Sequence, residues 1–467
     1  MTRRPFDGGT TPTGVNQPEA ALRVLEHVET HHIGFINLEF TDVVGTAKCV
    51  TIPAAQLASC LEHGKWFDGS AIEGFARVAE TDMYLRPDLA TFAAIPWHAG
   101  GEGAHDLVAR VICDVLTPAG ERFPGDPRAV LARQLGEAAA LGYRFEVAAE
   151  LEFFLLAEKS GRARAALPHD RGGYFDVSTD LAADVRREIV VALEAMGFVV
   201  EASHHEVAAG QHELDFAPAD AVRAADAIIT ARYVAKAIAQ RHGLWATFMP
   251  KPFYGINGSG LHVHQQLVAT SDGRNVFSDA QDSRYGLTNG ARQFIAGQLA
   301  HAAAMCAVLC PLVNSYKRLV PGYEAPAAIN WGRVNREALI RVPRAAGGVP
   351  GGTRVELRCA DPSCNPYLGL AVMLAAGLDG MRRELTGPPP VEESLYAMDD
   401  AARLARRVGA LPATLGEALD ALRGDEALRA ALGGLVAEWF VEAKTQEWLE
   451  YGRQVHAWER ERYLGMF

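Results

Sequence analysis

The sequence predicts an α+β fold, a small N-terminal unit followed by a large one, on three observations. GFINLEF, TDVVGT and AKCVTIP alternate apolar and polar residues about an Asp/Gly turn, the pattern of a β-hairpin. Apolar runs that carry charge at alternate positions, VAAELEFFLL and GLHVHQQL, read as further strands, and long helical stretches at 219–242 and 365–385 alternate with them. Between the two regions lies TPAGERFPGDP, rich in Pro and Gly.

In chain order, residues 1–17 read as a flexible tail. Pro18 to His32 reads as a short helix with Leu22 and Leu25 on one side, and the hairpin follows. AAQLASCLEH is a helix stopped at Gly64, and LVARVICDVL is another strand. These elements make a small α+β unit over 18–120. In the boundary segment Asp126 is placed to cap, and Pro127 to open, a helix running to Gly142. Residues 121–467 form the large unit. The chain shows neither internal repeats nor low-complexity segments.

With 467 residues, 49% hydrophobic and 22% charged, the chain is long enough for two cores and has the composition of an ordinary enzyme. A net charge of -12 argues against nucleic acid and anionic membrane as partners. The seven cysteines, at 49, 60, 113, 306, 310, 359 and 364, form no CxxC pair, so neither a disulfide framework nor a zinc site is expected. The N-terminus lacks an apolar h-region and no run approaches bilayer length, so a cytoplasmic location is expected.

Charge within the strands points to chemistry. Alternate residues of a strand share a face, so Glu150 and Glu152 point the same way, as do His262 and His264, and Glu356 and Arg358. With Glu206 and Glu213 they would make one acidic cavity, and such acids repel unless cations sit among them. Oxygen-rich ligation with a single imidazole suits Mg2+ or Mn2+. Arg318, Arg336, Arg341, Arg354 and Arg358 add planar, permanently charged forks for carboxylate and phosphate oxygens. Divalent cations together with several arginines suit the movement of a phosphoryl group between anions.

FDGSAIEGF at 67–75, ETDMYLRPD at 80–88, MPKPFYGINGSGLHVH at 249–264, NSYKRLVPGYEAP at 314–326 and DPSCNPYLGLAV at 361–372 resemble the ordered motif set of bacterial class I glutamine synthetases. The resemblance runs from about Gly34 to Phe467. It implies a β-grasp-like N-terminal domain and a catalytic domain whose strand funnel, surrounded by helices, admits ATP at one end and glutamate at the other. It implies two to three Mg2+ or Mn2+ ions, with Glu152, Glu206 and Glu213 on one and Glu150, His262 and Glu356 on the ion nearer the nucleotide phosphates. Taken singly, each of these residues is as compatible with a surface or ion-paired role.

By the same resemblance, His264, Glu201, Arg341 and Arg354 contact the nucleotide side, with Arg336 and Arg341 facing phosphate. Asn257, Gly258 and Gly260 resemble the glutamate-binding loop, and Arg318 and Arg358 take the substrate carboxylate. Of His204 and His205, one is structural. Glu324 resembles a flap carboxylate that closes over an acyl phosphate and takes a proton from the incoming amine. Asp68 and Asp82 resemble residues lent by a neighbouring subunit, Asp68 helping to deprotonate ammonium, with Tyr174 and Glu206 completing the amine pocket. Shared sites imply a closed ring; the aromatic-rich C-terminal run is as compatible with an ordinary core helix, and by the resemblance it docks on a facing ring, stacking two hexamers into a dodecamer. The C-terminal region resembles the alpha subtype, in which Arg77 is the feedback residue and Tyr396 is structural. Ala71 stands where many relatives have serine, which leaves a larger amine, a polyamine, ethanolamine or alkylamine, as the alternative acceptor to ammonium. A catalytically silent sensing scaffold is the alternative from another class, and a guanidino kinase, a distant structural relative of the core, is disfavoured by the FDGS segment.

Overall fold

The computed structural model describes residues 17–70, 82–98, 107–157, 167–344, 352–395 and 408–467, with 398, 401, 405 and 406. A helix over Gln17–Thr30 opens the chain. Its buried residues are Val24 and Val28, whereas Leu22 is exposed, so the expected Leu22/Leu25 face is displaced toward the valines. The hairpin forms as Ile33–Thr41 against Ala47–Pro53, in antiparallel register with Leu38 opposite Val50. Ile33–Thr41 also pairs, in parallel, with Leu107–Leu116, which carries Asp82–Pro87 and then Lys65–Asp68 on its far side. The helix Leu57–His63 stops at Gly64, whose φ of 74° is the left-handed conformation that glycine adopts without strain.

The hairpin turn docks on the large unit. Asp42 accepts from the Thr46 N–H at 2.7 Å, and Asn365 Nδ2 donates to the carbonyls of Asp42 and Val43 at 3.0 and 3.2 Å. A buried guanidinium adds a second tie. Arg128 donates to Asp114 at 2.8 Å, Asp88 at 2.6 Å and Asp226 at 3.3 Å, and the Tyr367 hydroxyl donates to Asp226 at 2.6 Å. Asp126 caps the helix Pro127–Ala140 through the Arg128 N–H, as the sequence predicts.

The large unit is built on a ten-stranded sheet. Its main path runs Trp331–Gly332, Ile340–Arg341, Val355–Leu357, Leu261–Ala269, Tyr143–Ala157, Gln211–Phe216 and Val200–His205. The 15-residue strand Tyr143–Ala157 divides its side chains by parity. Val147, Ala149, Leu151, Phe153 and Leu155 enter the main core, under helices Pro127–Ala140 and Ala221–Arg241. Glu150 and Glu152 face the other way, while Phe154 and Leu156 join a small separate cluster with Ala208. Helix Pro366–Arg382 is buried along nearly its whole length, packed on Asn289–Ala300 and Pro127–Ala140. Among the described residues, no helix is long and apolar enough to cross a membrane.

Candidate active site

Strand register alone brings the acids together. Glu213 stands opposite Glu152, and Asp215 opposite Glu150. On the other flank His262 stands opposite Glu150, His264 opposite Glu356, and Glu356 opposite Arg341. His204 stands opposite Glu213. Opposed residues share a face of the sheet, so this row projects to one side. All of it except His264 lines a cavity of about 430 Å3, together with Glu206, Tyr174, Phe175, Asn257, Gly258, Arg318, Glu324, Arg336 and Arg358.

On the acid side, Glu152 accepts from Gln211 Nε2 at 2.8 Å and from the Gly260 N–H at 2.9 Å. Glu150 receives His262 Nδ1 at 2.8 Å and His264 Nε2 at 2.7 Å, and these bonds, working against burial, hold its carboxyl below the usual range. Arg354 Nε donates to His264 Nδ1 at 3.2 Å, which leaves Nε2 as the protonated nitrogen facing Glu150. Glu213 has a looser partner, His204 Nε2 at 3.5 Å. Burial pushes its carboxyl up to about 12, with Glu152, Asp215 and Glu150 adding to the rise, and burial with Glu152 pushes Glu206 up to about 7. Asp215 Oδ1 is buried without a hydrogen-bond partner.

Arginines line the cavity beside the acids. Arg318, nearly fully buried, donates to the carbonyls of Cys359, Ala360 and Arg358 at 2.9, 3.1 and 3.2 Å. Glu356 pairs with Arg341 at 3.0 Å on one oxygen and with Arg358 on the other. Two donors here, Arg358 Nε and Ser259 Oγ, are buried without partners. The glycines of the 257–260 loop are sterically required: a Cβ at Gly258 would stand 2.2 Å from the Pro250 carbonyl oxygen, and one at Gly260 2.5 Å from Arg318 Nη2.

Over this mouth hangs the segment Gly322–Ala325. Glu324 adopts a φ of 55°, a left-handed conformation that costs a residue with a side chain on the order of 1–3 kcal/mol. Its carboxylate lies 3.9 Å from Arg336. Lys251 Nζ sits 3.7 Å above the Tyr323 ring and donates to the Ile256 carbonyl, fixing one side of the segment.

Thus the cavity gathers most of the residues expected from sequence, and the rest stand apart from it. Gly260 and His264 lie one contact behind the lining, and Arg354 behind His264. Glu201 is exposed and off the lining. Asp68 is exposed, does not line the cavity of its own chain, and is held below the usual carboxyl range by hydrogen bonds from Ser70. Ala71, Arg77 and Tyr396 lie outside the described residues. His204 is the histidine of its pair that faces the cavity. His205 is fully buried, donating Nε2 to Asp170 at 3.0 Å and Nδ1 to the Glu206 carbonyl at 2.7 Å. Asp215 was missed as a candidate, although it shares strand parity with a predicted ligand in Glu213-x-Asp215; His204, left open against His205, shares parity with Glu206.

The donor set fits divalent metal. One group of ligand atoms, from Glu150, His264 and Glu356, lies within 4.8 Å, and so does a second, from His204, Glu206 and Glu213. His204 stands in the second group beside the expected Glu206 and Glu213, and His264 in the first beside the expected Glu150 and Glu356, while Glu152 and His262 also line the cavity. Buried carboxylates with an orphaned Asp215 oxygen and two acids pushed toward protonation are the pattern of a cation site, and oxygen with imidazole favours hard ions of the Mg2+ and Mn2+ kind.

Comparison with known proteins agrees with this geometry. Residues 32–118 match the family model for the glutamine synthetase beta-Grasp domain, and residues 124–463 that for the glutamine synthetase catalytic domain. A glutamine synthetase of Halobacterium salinarum is 48% identical over 99% of this chain and 100% of its own. One of Thermus thermophilus is 49% identical over 95% and 98%. Among solved structures, "GmaS/ADP complex-Conformation 1" superposes with a TM-score of 0.83 at 32% identity, covering 94% of this chain and 99% of that one. Both halves of the fold, the cavity in the large unit and near-full-length relatives agree: the chain belongs to the glutamine synthetase family.

Proposed function

We propose that this chain ligates ammonia to the γ-carboxylate of L-glutamate, driven by ATP, giving glutamine, ADP and phosphate. The observation that carries the reading is that relatives named glutamine synthetase match it at 48–49% identity over 95–99% of its length. Glutamate's α-carboxylate is received by Arg318 and Arg358, beside the Asn257–Gly258–Gly260 loop, whose backbone approaches the substrate where no Cβ fits. The γ-carboxylate forms a bond to the γ-phosphorus as the β,γ-bridging oxygen leaves with ADP, and Arg336 and Arg341 stabilise the charge on the transferred group. Ammonia then forms the C–N bond of glutamine as phosphate departs from the γ-glutamyl phosphate. Glu324 closes over that acyl phosphate, excludes water and takes a proton from the amine.

Two to three Mg2+ or Mn2+ ions, held among Glu150, Glu152, Glu206, Glu213, His262 and Glu356, supply neutralisation of phosphate charge when bound. Glu201, His264 and Arg354 complete the nucleotide side; the structural relative described as an ADP complex supports a nucleotide in this fold. Tyr174 and Glu206 form the amine pocket, and Asp68, supplied by a neighbouring copy, deprotonates ammonium. The enzyme is a cytoplasmic dodecamer of two stacked hexamers, divided at residue 120 into a β-grasp-like domain and a catalytic domain, with Arg77 transmitting feedback inhibition by glutamine. ADP release that requires both glutamate and ammonium, with glutamine detected as product, is the test; ADP release without glutamine overturns the reading.

A further inference from the structure

Three thiols meet behind the substrate arginines. Cys306 lies in the helix Ala302–Leu309, Cys310 caps its C-terminal end, and Cys359 follows the strand Val355–Leu357. All three are fully buried, and their sulfurs lie within 4.8 Å of one another. The Cys310 thiol donates to the Cys359 carbonyl at 3.1 Å, the carbonyl that also receives Arg318 Nη1 at 2.9 Å. The hydrogen bond between Cys306 and Cys359 holds the Cys359 thiol well below its usual range, whereas burial pushes Cys310 well above it. Sequence spacing hides the set, because Cys310 and Cys359 are 49 residues apart.

We propose that Cys306, Cys310 and Cys359 form a binding site for a trivalent, three-coordinate thiophilic ion of the arsenic(III) class, separate from the oxygen-lined cavity beyond Arg318 and Arg358. Sulfur donors select soft ions, as the oxygens of the cavity select hard ones. Sulfurs ~2.3 Å from a central ion stand ~4 Å apart in a trigonal arrangement, so a group within 4.8 Å closes on an ion with small shifts. Among the described residues no fourth ligand atom shares that radius, whereas a structural zinc site takes four. Charge selects the valence. Three thiolates on a divalent ion leave a net negative charge in the interior, and burying net charge is costly; three on arsenic(III) give a neutral product. With arsenous acid, three As–S bonds form as three As–O bonds break, each thiol proton leaves in a water molecule, and no oxidation state changes. Entry requires local opening at the end of the helix, so loading is slow.

The test uses the full chain, reduced and under argon, incubated overnight with sodium arsenite or cadmium chloride, desalted and analysed for bound element per chain by mass spectrometry. The expected result is one arsenic per chain, held at least tenfold more weakly in Cys306→Ser, Cys310→Ser and Cys359→Ser, and equally well in Cys49→Ser and Cys364→Ser. Circular dichroism verifies that each variant folds, and the alanine replacement of any serine variant that does not fold takes its place. Absence of bound arsenic, retention of arsenic in any of the three cluster variants, or tighter binding of cadmium than of arsenite would each overturn the proposal.

Discussion

Glu213 and Glu152 stand directly opposite one another across the antiparallel pair of strands 211–216 and 143–157, both nearly buried. Two opposed, buried carboxylates cannot both stay ionised without a cation between them, so in the metal-free protein Glu213, whose carboxyl is pushed up, takes a proton at a cost to stability. Metal-free protein should therefore melt higher as Glu213→Gln than as wild type, and added Mg2+ or Mn2+ should raise the wild-type melting temperature well beyond that of the variant. Glu152→Ala should abolish turnover without unfolding the protein. Thermal unfolding in chelator and then in metal checks the first expectation; equal stabilisation of both proteins by metal removes Glu213 from the ligands.

The left-handed φ of Glu324 separates backbone from side chain. Glu324→Gly should relieve the strain, yet lose the closing carboxylate and with it roughly 10²–10⁴-fold in turnover if that group moves the proton. Water would then reach the acyl phosphate. The ratio of glutamine formed to ADP released, near one in the wild type, should fall; a ratio that stays at one shows that Glu324 does not guard the intermediate.

His301 bridges two carboxylates, donating Nδ1 to Asp425 at 2.6 Å and Nε2 to Asp379 at 3.0 Å, both of which can only accept. The Asp425 hydrogen bond, assisted by that of Asp379, raises its pKa above the ordinary 6.5. A raised folded value means that the imidazolium contributes fully below the unfolded pKa and is lost as pH climbs through the folded one. The stability difference between wild type and His301→Gln, about 1.5–3 kcal/mol for charged hydrogen bonds, should be largest near pH 6 and shrink toward pH 9. Melting curves across that range check it, and a difference that grows with pH contradicts the assignment.

The C-terminal aromatics split into two populations. Phe440 is core and Trp439 packs on Phe123, but Trp458, Leu464, Met466 and Phe467 are exposed. Such an apolar surface on a charged tail marks a contact. Deleting the residues after Trp458 should reduce a dodecamer to hexamers or smaller species in light scattering, and an unchanged mass would place the ring contact elsewhere.

Local pattern made most of this site legible. Alternation in Glu150-x-Glu152, His262-x-His264 and Glu356-x-Arg358 fixes a shared face, and the Gly/Asp turn with its capped helix at Asp126 is local chemistry. Which histidine of the 204/205 pair faces the cavity was not legible, because the choice is settled by Asp170, 35 residues away, which anchors His205 in the interior. Glu201 stands off the cavity lining for a simpler reason: Ala202 and His204 line it, and an odd-numbered neighbour on the same strand points to the other face. The valine face of the first helix likewise depends on what the sheet beneath presents, which no helical period reveals.

Amine choice is the most direct test, since a larger acceptor would use the same metals and arginines and differ only at the pocket near Tyr174 and Glu206. ADP release should be measured with saturating ATP and glutamate against ammonium, methylamine, ethanolamine and a polyamine in turn. The account predicts that ammonium gives the highest kcat/KM by a wide margin and that glutamine is the product. Faster turnover with any of the larger amines, or none with ammonium, would contradict it.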